Sequence, residues 1–342
     1  MKRMKWVGIC LAAMLLVITA CGNQEKEKNS GSDNSGNEKS YTVAISQIIE
    51  HPSLDATRNG FIAALKDAGI EEGKNLKIDF NSAQGEPSNS KTISQKIAGD
   101  KSDLALGIAT LPSLHLSEDV KDKPVLFAAV TDPVGSGIIS QMDAPGGNIS
   151  GAADTNPEAT AQLAEFVSKQ FPNIKKLGLV IYEGEANAVV MAENADTQFG
   201  KYNIEIVRAS ITNSSEIKQA AESLIGRVDG FFVTLDNMVV SGVDPLIELA
   251  NANDLPFFAS DRDTVEKGAF AAVGFKYFDH GYQVGQMAVE ILKNGKNPGE
   301  MKVTVPDKLD FIFNLKAAGE QGITVTDDMK AYVKDQAENI IE

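Results

Sequence analysis

Cysteine, histidine and tryptophan are scarce in this 342-residue chain, at two, three and one residues respectively. Cys10 lies inside an apolar leader, so Cys21 has no cysteine partner in the mature chain, and a disulfide framework is excluded. The histidines His51, His115 and His280 stand far apart, and the HExxH, CxxC and GxxxxGK[ST] patterns are missing, which argues against a metal centre or a nucleotide-phosphate loop. There is no G-x-S-x-G elbow either, so nothing marks an enzyme, and no cofactor is expected. The apolar run from Trp6 to Ile18 falls short of the roughly 20 residues a membrane-spanning helix needs.

That run follows three cations, Lys2, Arg3 and Lys5, and ends in Thr19, Ala20 and Cys21, the pattern of an export signal. Ile18-Thr19-Ala20-Cys21 resembles the bacterial lipobox, with isoleucine in place of the more usual leucine. Residues 1–20 are therefore read as a lipoprotein signal peptide and Cys21 as the acylated residue; the alternative is an ordinary secretory signal with an incidental cysteine. Residues 22–40 carry no aliphatic or aromatic side chain to offset ordering entropy and read as a flexible tether. Two acyl chains, such as palmitate, on Cys21 would give a stable membrane anchor.

About 300 residues remain, enough for two lobes with substantial cores. Loss of the leader's three cations moves the formal charge from -15 to -18, an acidic balance that disfavours nucleic acid. Short β-branched runs alternate with amphipathic stretches, which predicts an α/β fold with parallel sheets. Strands are expected at Tyr41 to Ile45, Leu76 to Phe80, Leu104 to Ile108 and Val125 to Ala129, then at Lys176 to Ile181, Ile204 to Ala209, Gly230 to Thr234, Pro256 to Ala259 and Ala269 to Val273. Further strands are expected at Lys302 to Val305 and Phe311 to Asn314.

Leu54, Phe61, Leu65 and Ala68 line one face of the first helix, and Asn156-Pro157-Glu158 carries the capping signature of a second-half helix. Gly281, Gly285, Ala288 and Leu292 make a small-residue face suited to close packing on a sheet. The boundaries that follow place residues 41–152 and 275–303 in lobe 1 and residues 153–274 and 304–342 in lobe 2, with several strand-like crossovers as a hinge.

Open parallel sheets bind ligands beyond the carboxyl ends of their strands. The loops there hold Gln47 and His51, Thr110, Thr131 and Asp132, Glu185 and Asn187, Asp236 and Asn237, and Asp261. They are rich in hydroxyls, amides and carboxylates and nearly free of lysine and arginine, Arg262 and Lys276 excepted. A multiply charged anion is disfavoured, and a zwitterion fits better, its carboxylate on helix amides and threonine hydroxyls and its ammonium on an aspartate. Each of these polar residues has a competing role as a helix cap or turn former. For His51, capping the first helix competes with touching the ligand.

Five motifs, in order, are shared with a known family: Glu50-His51-Pro52-Ser53-Leu54-Asp55, Phe127 to Gly135 (FAAVTDPVG), Pro145 to Gly151 (PGGNISG), Glu185-Ala186-Asn187 and Phe258-Ala259-Ser260-Asp261. They resemble the tryptophan/tyrosine-type ABC transporter substrate-binding proteins, which have the type I periplasmic-binding-protein fold. The resemblance runs from about Tyr41 to Asn314. It implies that Thr131 and Asp132 of one lobe face Glu185, Asn187, Asp236, Asn237 and Asp261 of the other. Under it, Asp261 or Asp236 holds an ammonium, Thr110 and Thr131 a carboxylate, and Tyr182 or Phe275 stacks on an aromatic ring. It further implies a small amino-acid-like ligand and, as partners, an ABC permease and its ATPase.

Two positions depart from the family pattern, Leu111 to Leu116 after Thr110 and Lys276 after Phe275, and both bear on the pocket. A surface sensor or adhesin built on the same fold is the rival reading, and a secreted α/β enzyme a more distant one.

Overall fold

The computed structural model describes residues 39–306 and 308–342. The leader, Cys21 and nearly all of the tether lie outside the described residues. The first lobe runs β1 (Tyr41–Gln47), α1 (Pro52–Asp67), β2 (Leu76–Ser82), α2 (Pro87–Gly99), β3 (Leu104–Ile108), α3 (Thr110–Asp119), β4 (Val125–Val130) and β5 (Ile149–Ala153). Its five strands form one parallel sheet in the order β2-β1-β3-β4-β5.

The chain then crosses over and lays down α4 (Pro157–Gln170), β6 (Lys176–Tyr182), α5 (Ala186–Gly200), β7 (Glu205–Ile211), α6 (Ile217–Glu222), β8 (Gly230–Val233), α7 (Asn237–Ser241), α8 (Asp244–Ala252), β9 (Phe257–Ala259), α9 (Arg262–Lys267) and β10 (Ala271–Gly274). It returns to the first lobe for α10 (Tyr277–Asn294) and closes in the second with β11 (Asp310–Asn314), α11 (Leu315–Glu320), α12 (Asp327–Lys330), α13 (Gln336–Asn339) and β12 (Ile340–Ile341). The second sheet has the order β12-β11-β10-β9-β8-β6-β7, parallel except where β10 meets β11.

The α/β expectation holds, and most of its strands fall within a residue or two of those observed. Two differ. Lys302 to Val305 forms no strand, only a single bridge between Ala152 and Thr304, because Pro306 ends the run and only the end of β5 is available to pair. Conversely, Ile149–Ala153 is a fully buried strand. Its sequence, Ile-Ser-Gly-Ala-Ala, has one β-branched residue and carries little strand signal.

Leu54, Phe61 and Leu65 bury the inner face of α1, as its periodicity predicts, and the helix gives way to Gly69 at φ +77. The small-residue face of α10 packs on α1 rather than on a sheet. A Cβ on Gly281 would stand 1.9 Å from the Thr57 carbonyl oxygen, and one on Gly60 equally close to that of Phe278. Only glycine lets these two backbones approach so closely. In the second lobe an aromatic cluster fills the core, with Phe166 5.3 Å from both Phe311 and Phe313, and Phe270 stacked on Phe313 at 5.2 Å.

Three connections join the lobes, at 154–156, at 275–276 and after Thr304. They are tied to one another: Ala153 N–H donates to Thr304 O (2.9 Å) and Asn156 Nδ2 to Pro306 O (3.1 Å). Among the described residues no helix is long and apolar enough to cross a membrane.

Candidate binding site between the lobes

The carboxyl ends of the two sheets face each other and enclose a narrow cavity of ≈ 10 Å³. Lobe 1 contributes His51, Ser53 and Leu54 from the start of α1, Ala129 and Thr131 from the end of β4, and Tyr277 from the start of α10. Facing them are Asn187, Leu235, Asn237, Val240 and Asp261, with Asp154 entering from the first connection. The lobes touch directly here: Ser53 Oγ donates to Asp261 Oδ1 (3.1 Å), and His51 Nε2 meets Asn237 Oδ1 (3.2 Å).

His51 occupies the N-cap position of α1 but its side chain makes no capping bond, so the amides of Ser53 and Leu54 keep their donors, at the positive dipole end of a 16-residue helix, for the cavity. The network also fixes the state of the ring. Asn237 Nδ2 donates to Glu185 Oε2 (2.6 Å), so Oδ1 is the acceptor facing His51, and Nε2 must carry hydrogen. Burial lowers the His51 pKa, which leaves Nδ1 an acceptor with no partner among the described residues.

Asp154 was not expected from sequence. It is buried, accepts from Tyr277 Oη (3.1 Å) and Thr155 Oγ1 (3.3 Å), and has no cation among its partners. Desolvation pushes its carboxyl up to about 6, against the lowering effect of the hydroxyls of Tyr277, Thr155 and Thr131. Its position at the end of β5 is the signal for it, masked because the small residues of that strand resemble connecting chain.

Asp261 also lines the cavity, but its carboxylate caps α9, accepting from Thr264 N–H (2.8 Å) and Oγ1 (2.7 Å). Asp236 is turned into its own lobe, where it caps α7 through Val239 N–H (3.1 Å) and accepts from Tyr182 N–H (2.7 Å). Burial and the nearby Glu185 raise Asp236 to about 8. Glu185 is raised too, chiefly by burial, although it accepts from the side chains of Asn187 and Asn237 and the amides of Asn237 and Met238. It supports the cavity-lining Asn187 and Asn237 from behind.

The other expected residues are spread more widely. Thr110 and Asp132 line a neighbouring cavity of ≈ 160 Å³, which reaches Ala186, Asn187 and Val190 across the cleft. Asp132 Oδ1 also closes a turn by accepting from Gly135 N–H (2.7 Å). Gln47 is held inside lobe 1 by Ile49 O, Asp55 and Arg58. Tyr182 is half-buried and lines neither cleft cavity. Phe275 lies at the hinge against the rings of Tyr277 and His280.

Buried His280, pushed down to about 4 by desolvation, accepts the amide of Ala129 at Nε2 (3.0 Å) and so holds the end of β4, where Ala129 has φ +55. A broader groove beside the hinge, of ≈ 620 Å³, is lined by Arg262, Lys276, Lys308 and Phe275 among others. In this groove Lys276 pairs with Glu338 and Arg262 with Glu266 and Asn339, whereas the smaller cavity holds a buried acceptor, His51 Nδ1, with no partner among the described residues.

Residues 42–337 match the family model described as ABC transporter substrate binding protein. The chain belongs to that family. Its members bind solutes and are not enzymes. A tyrosine-binding protein of Clostridioides difficile is 36% identical over 341 residues, covering 97% of both chains. The solved structure of an ABC domain from Streptococcus pneumonia in complex with L-Trp has a TM-score of 0.82 at 28% identity, covering 89% of this chain and 100% of that one. A ligand-free, open substrate binding protein with adhesive properties from Clostridium difficile has a TM-score of 0.64 at 34% identity, covering 88% and 98%. These relatives place the chain among solute receptors of the type I periplasmic-binding-protein fold, and they include binders of tyrosine and tryptophan.

Proposed function

We propose that this protein is the extracytoplasmic receptor of an ABC importer, anchored through acylated Cys21, that captures an aromatic amino acid between its lobes and delivers it to a membrane permease driven by its ATPase. The observation that carries the ligand class is a desolvated carboxyl without a cation, Asp154, in the same small cavity as the uncapped start of α1. An α-amino acid matches that pairing, with its ammonium on Asp154, flanked by Asp261 and His51 Nδ1, and its carboxylate on the amides of Ser53 and Leu54. Thr131 adds a hydroxyl at the same point, while Asn187 and Asn237 bridge to the second lobe. Binding chemistry alone is needed, and no bond in the ligand changes.

The ligand bridges both lobes and favours the closed arrangement in proportion to its differential affinity for it. The direct bonds between Ser53 and Asp261 and between His51 and Asn237 belong to such a closed arrangement. The likeness is greater to the tryptophan complex than to the open relative, despite lower sequence identity, which supports the same view. The adhesive properties of that open relative favour a second reading, in which the same receptor also serves as a surface adhesin.

The test is calorimetric titration of the chain from Ser40, unfolded and refolded to strip carried-over ligand, with tyrosine, tryptophan, phenylalanine and a wider metabolite panel. Saturable one-to-one binding of an aromatic amino acid supports the proposal, and silence toward all three rejects the ligand class. Radiolabelled palmitate incorporated by the full chain but not by its Cys21→Ser variant tests the anchor.

A further inference from the structure

Thr110 begins α3 directly after Ala109, whose φ of +81 is a conformation few non-glycine residues adopt. The turn delivers the threonine to the wall of the second cleft cavity, where its Oγ1 is buried and has no hydrogen-bond partner among the described residues. A mid-helix threonine can satisfy its hydroxyl on the carbonyl four residues back, as Thr57 does on Ser53 O at 3.0 Å. Thr110, in the first turn, makes no such bond. A buried hydroxyl left this way is destabilising until something bonds to it.

The cavity joins the ligand's expected position in a specific sense. Asn187 lines both cavities, whereas Asp261 and the start of α1 line only the one that suits a zwitterion's charged head, and Asp154 beside that head also borders a third, mostly apolar pocket with Leu235 and Phe275. Ammonium and carboxylate of an α-amino acid share one carbon, so a head group seated there projects its side chain past Asn187 into the second cavity. Ala186 and Val190 give that cavity apolar wall, and Thr110, Asp132, Ser136 and Asn187 supply its polar groups. Thr110 thus belongs to the side-chain end rather than to the carboxylate.

Resting on the amino-acid reading above, we infer that Thr110 is a specificity residue that bonds a hydroxyl at the far end of the ligand's ring, so that the cleft prefers tyrosine to phenylalanine. A phenol both donates and accepts: its proton faces the Asp132 carboxylate and its oxygen accepts from Thr110 Oγ1. Phenylalanine fills the same apolar space but leaves the threonine hydroxyl unpaired, and a site built to bond a hydroxyl discriminates against the analogue that lacks it.

The experiment is calorimetry with tyrosine and phenylalanine on the wild-type chain from Ser40 and on Thr110→Val and Thr110→Ser. The wild type should bind tyrosine at least about tenfold tighter, Thr110→Val should lose that ratio by weakening tyrosine alone, and Thr110→Ser should keep it. Since Oγ1 makes no structural bond and is left unpaired, Thr110→Val should keep or raise the melting temperature, which separates loss of recognition from loss of fold. Equal wild-type affinities, or a ratio preserved in Thr110→Val, would overturn the assignment while leaving the amino-acid reading intact. Failure of every aromatic amino acid to bind would overturn both.

Discussion

Ser53 Oγ donates to Asp261 Oδ1 across 3.1 Å, and the bond ties the first turn of α1 in one lobe to the cap of α9 in the other. Both groups are buried, so parting the lobes exposes them to water and exchanges this bond for solvent ones. Its net worth is about 1 kcal/mol. Ser53→Ala should therefore shift the ligand-free population toward the open form by roughly fivefold, since 1.4 kcal/mol is tenfold. Small-angle scattering would show this as a larger radius of gyration than that of the wild type, with saturating ligand restoring the compact value. An unchanged profile would mean that the bond does not bias closure.

Asp154 should carry the pH dependence of binding. Its ionised form pairs with the ligand ammonium, while burial in the ligand-free protein raises its pKa to about 6. Proton and ligand then compete, so affinity should be flat above about pH 7 and fall by up to tenfold per unit below pH 6. Asp154→Asn should weaken binding by about 100-fold or more and abolish the acid-side slope. Calorimetry between pH 4.5 and 8 on both proteins, run as order-of-magnitude comparisons, reads the two effects separately. A wild-type slope that survives in Asp154→Asn would assign the titration to another group.

Asp236 and Glu185 predict a loss of stability toward alkaline pH. Their folded pKa values are raised, Asp236 to about 8, so the native pair holds a proton that the unfolded chain has already released above about pH 4. Native protein binds more protons, and stability must fall as pH rises through that window, by up to about 1.4 kcal/mol per unit. Above the folded pKa the loss is complete and the curve levels. Melting temperatures from pH 5 to 9 should trace this decline, and Glu185→Gln should flatten it. A wild-type curve that stays level across that range would show that the pair is ionised in the native state.

Gly281→Ala tests the contact between α1 and α10. The added methyl would stand 1.9 Å from Thr57 O, backbone that cannot yield without separating the helices. Overpacking of this kind costs typically 1–3 kcal/mol, and a clash with backbone belongs at the upper end. Chemical denaturation should show the corresponding drop in midpoint. A variant as stable as wild type would mean that α10 can shift along α1.

The repeat of strand and helix, and the rule that ligands sit past strand ends, were enough to bring His51, Thr131, Asn187, Asn237 and Asp261 to one cavity. Asp154 escaped because a buried strand of glycine, alanine and serine looks like connecting chain until its neighbours are seen. Gln47 and Asp236 show the opposite limit. They follow strands as a ligand-binding residue should, yet Arg58 and Asp55 in one case, and two backbone amides in the other, turn their polar ends inward. Loop position follows from local pattern, whereas side-chain direction depends on partners distant in sequence.

The locked helix pair also fixes a length. The start of α1 carries Ser53 and Leu54, and the start of α10 carries Tyr277, whose hydroxyl holds Asp154. With glycines pinning one helix to the other, the spacing between the two ligand-facing ends cannot stretch when the lobes swing. Lobe 1 thus presents the two ends at one fixed spacing, and if an α-amino acid spans them, a β-amino acid, one carbon longer, should bind more weakly in calorimetric titration.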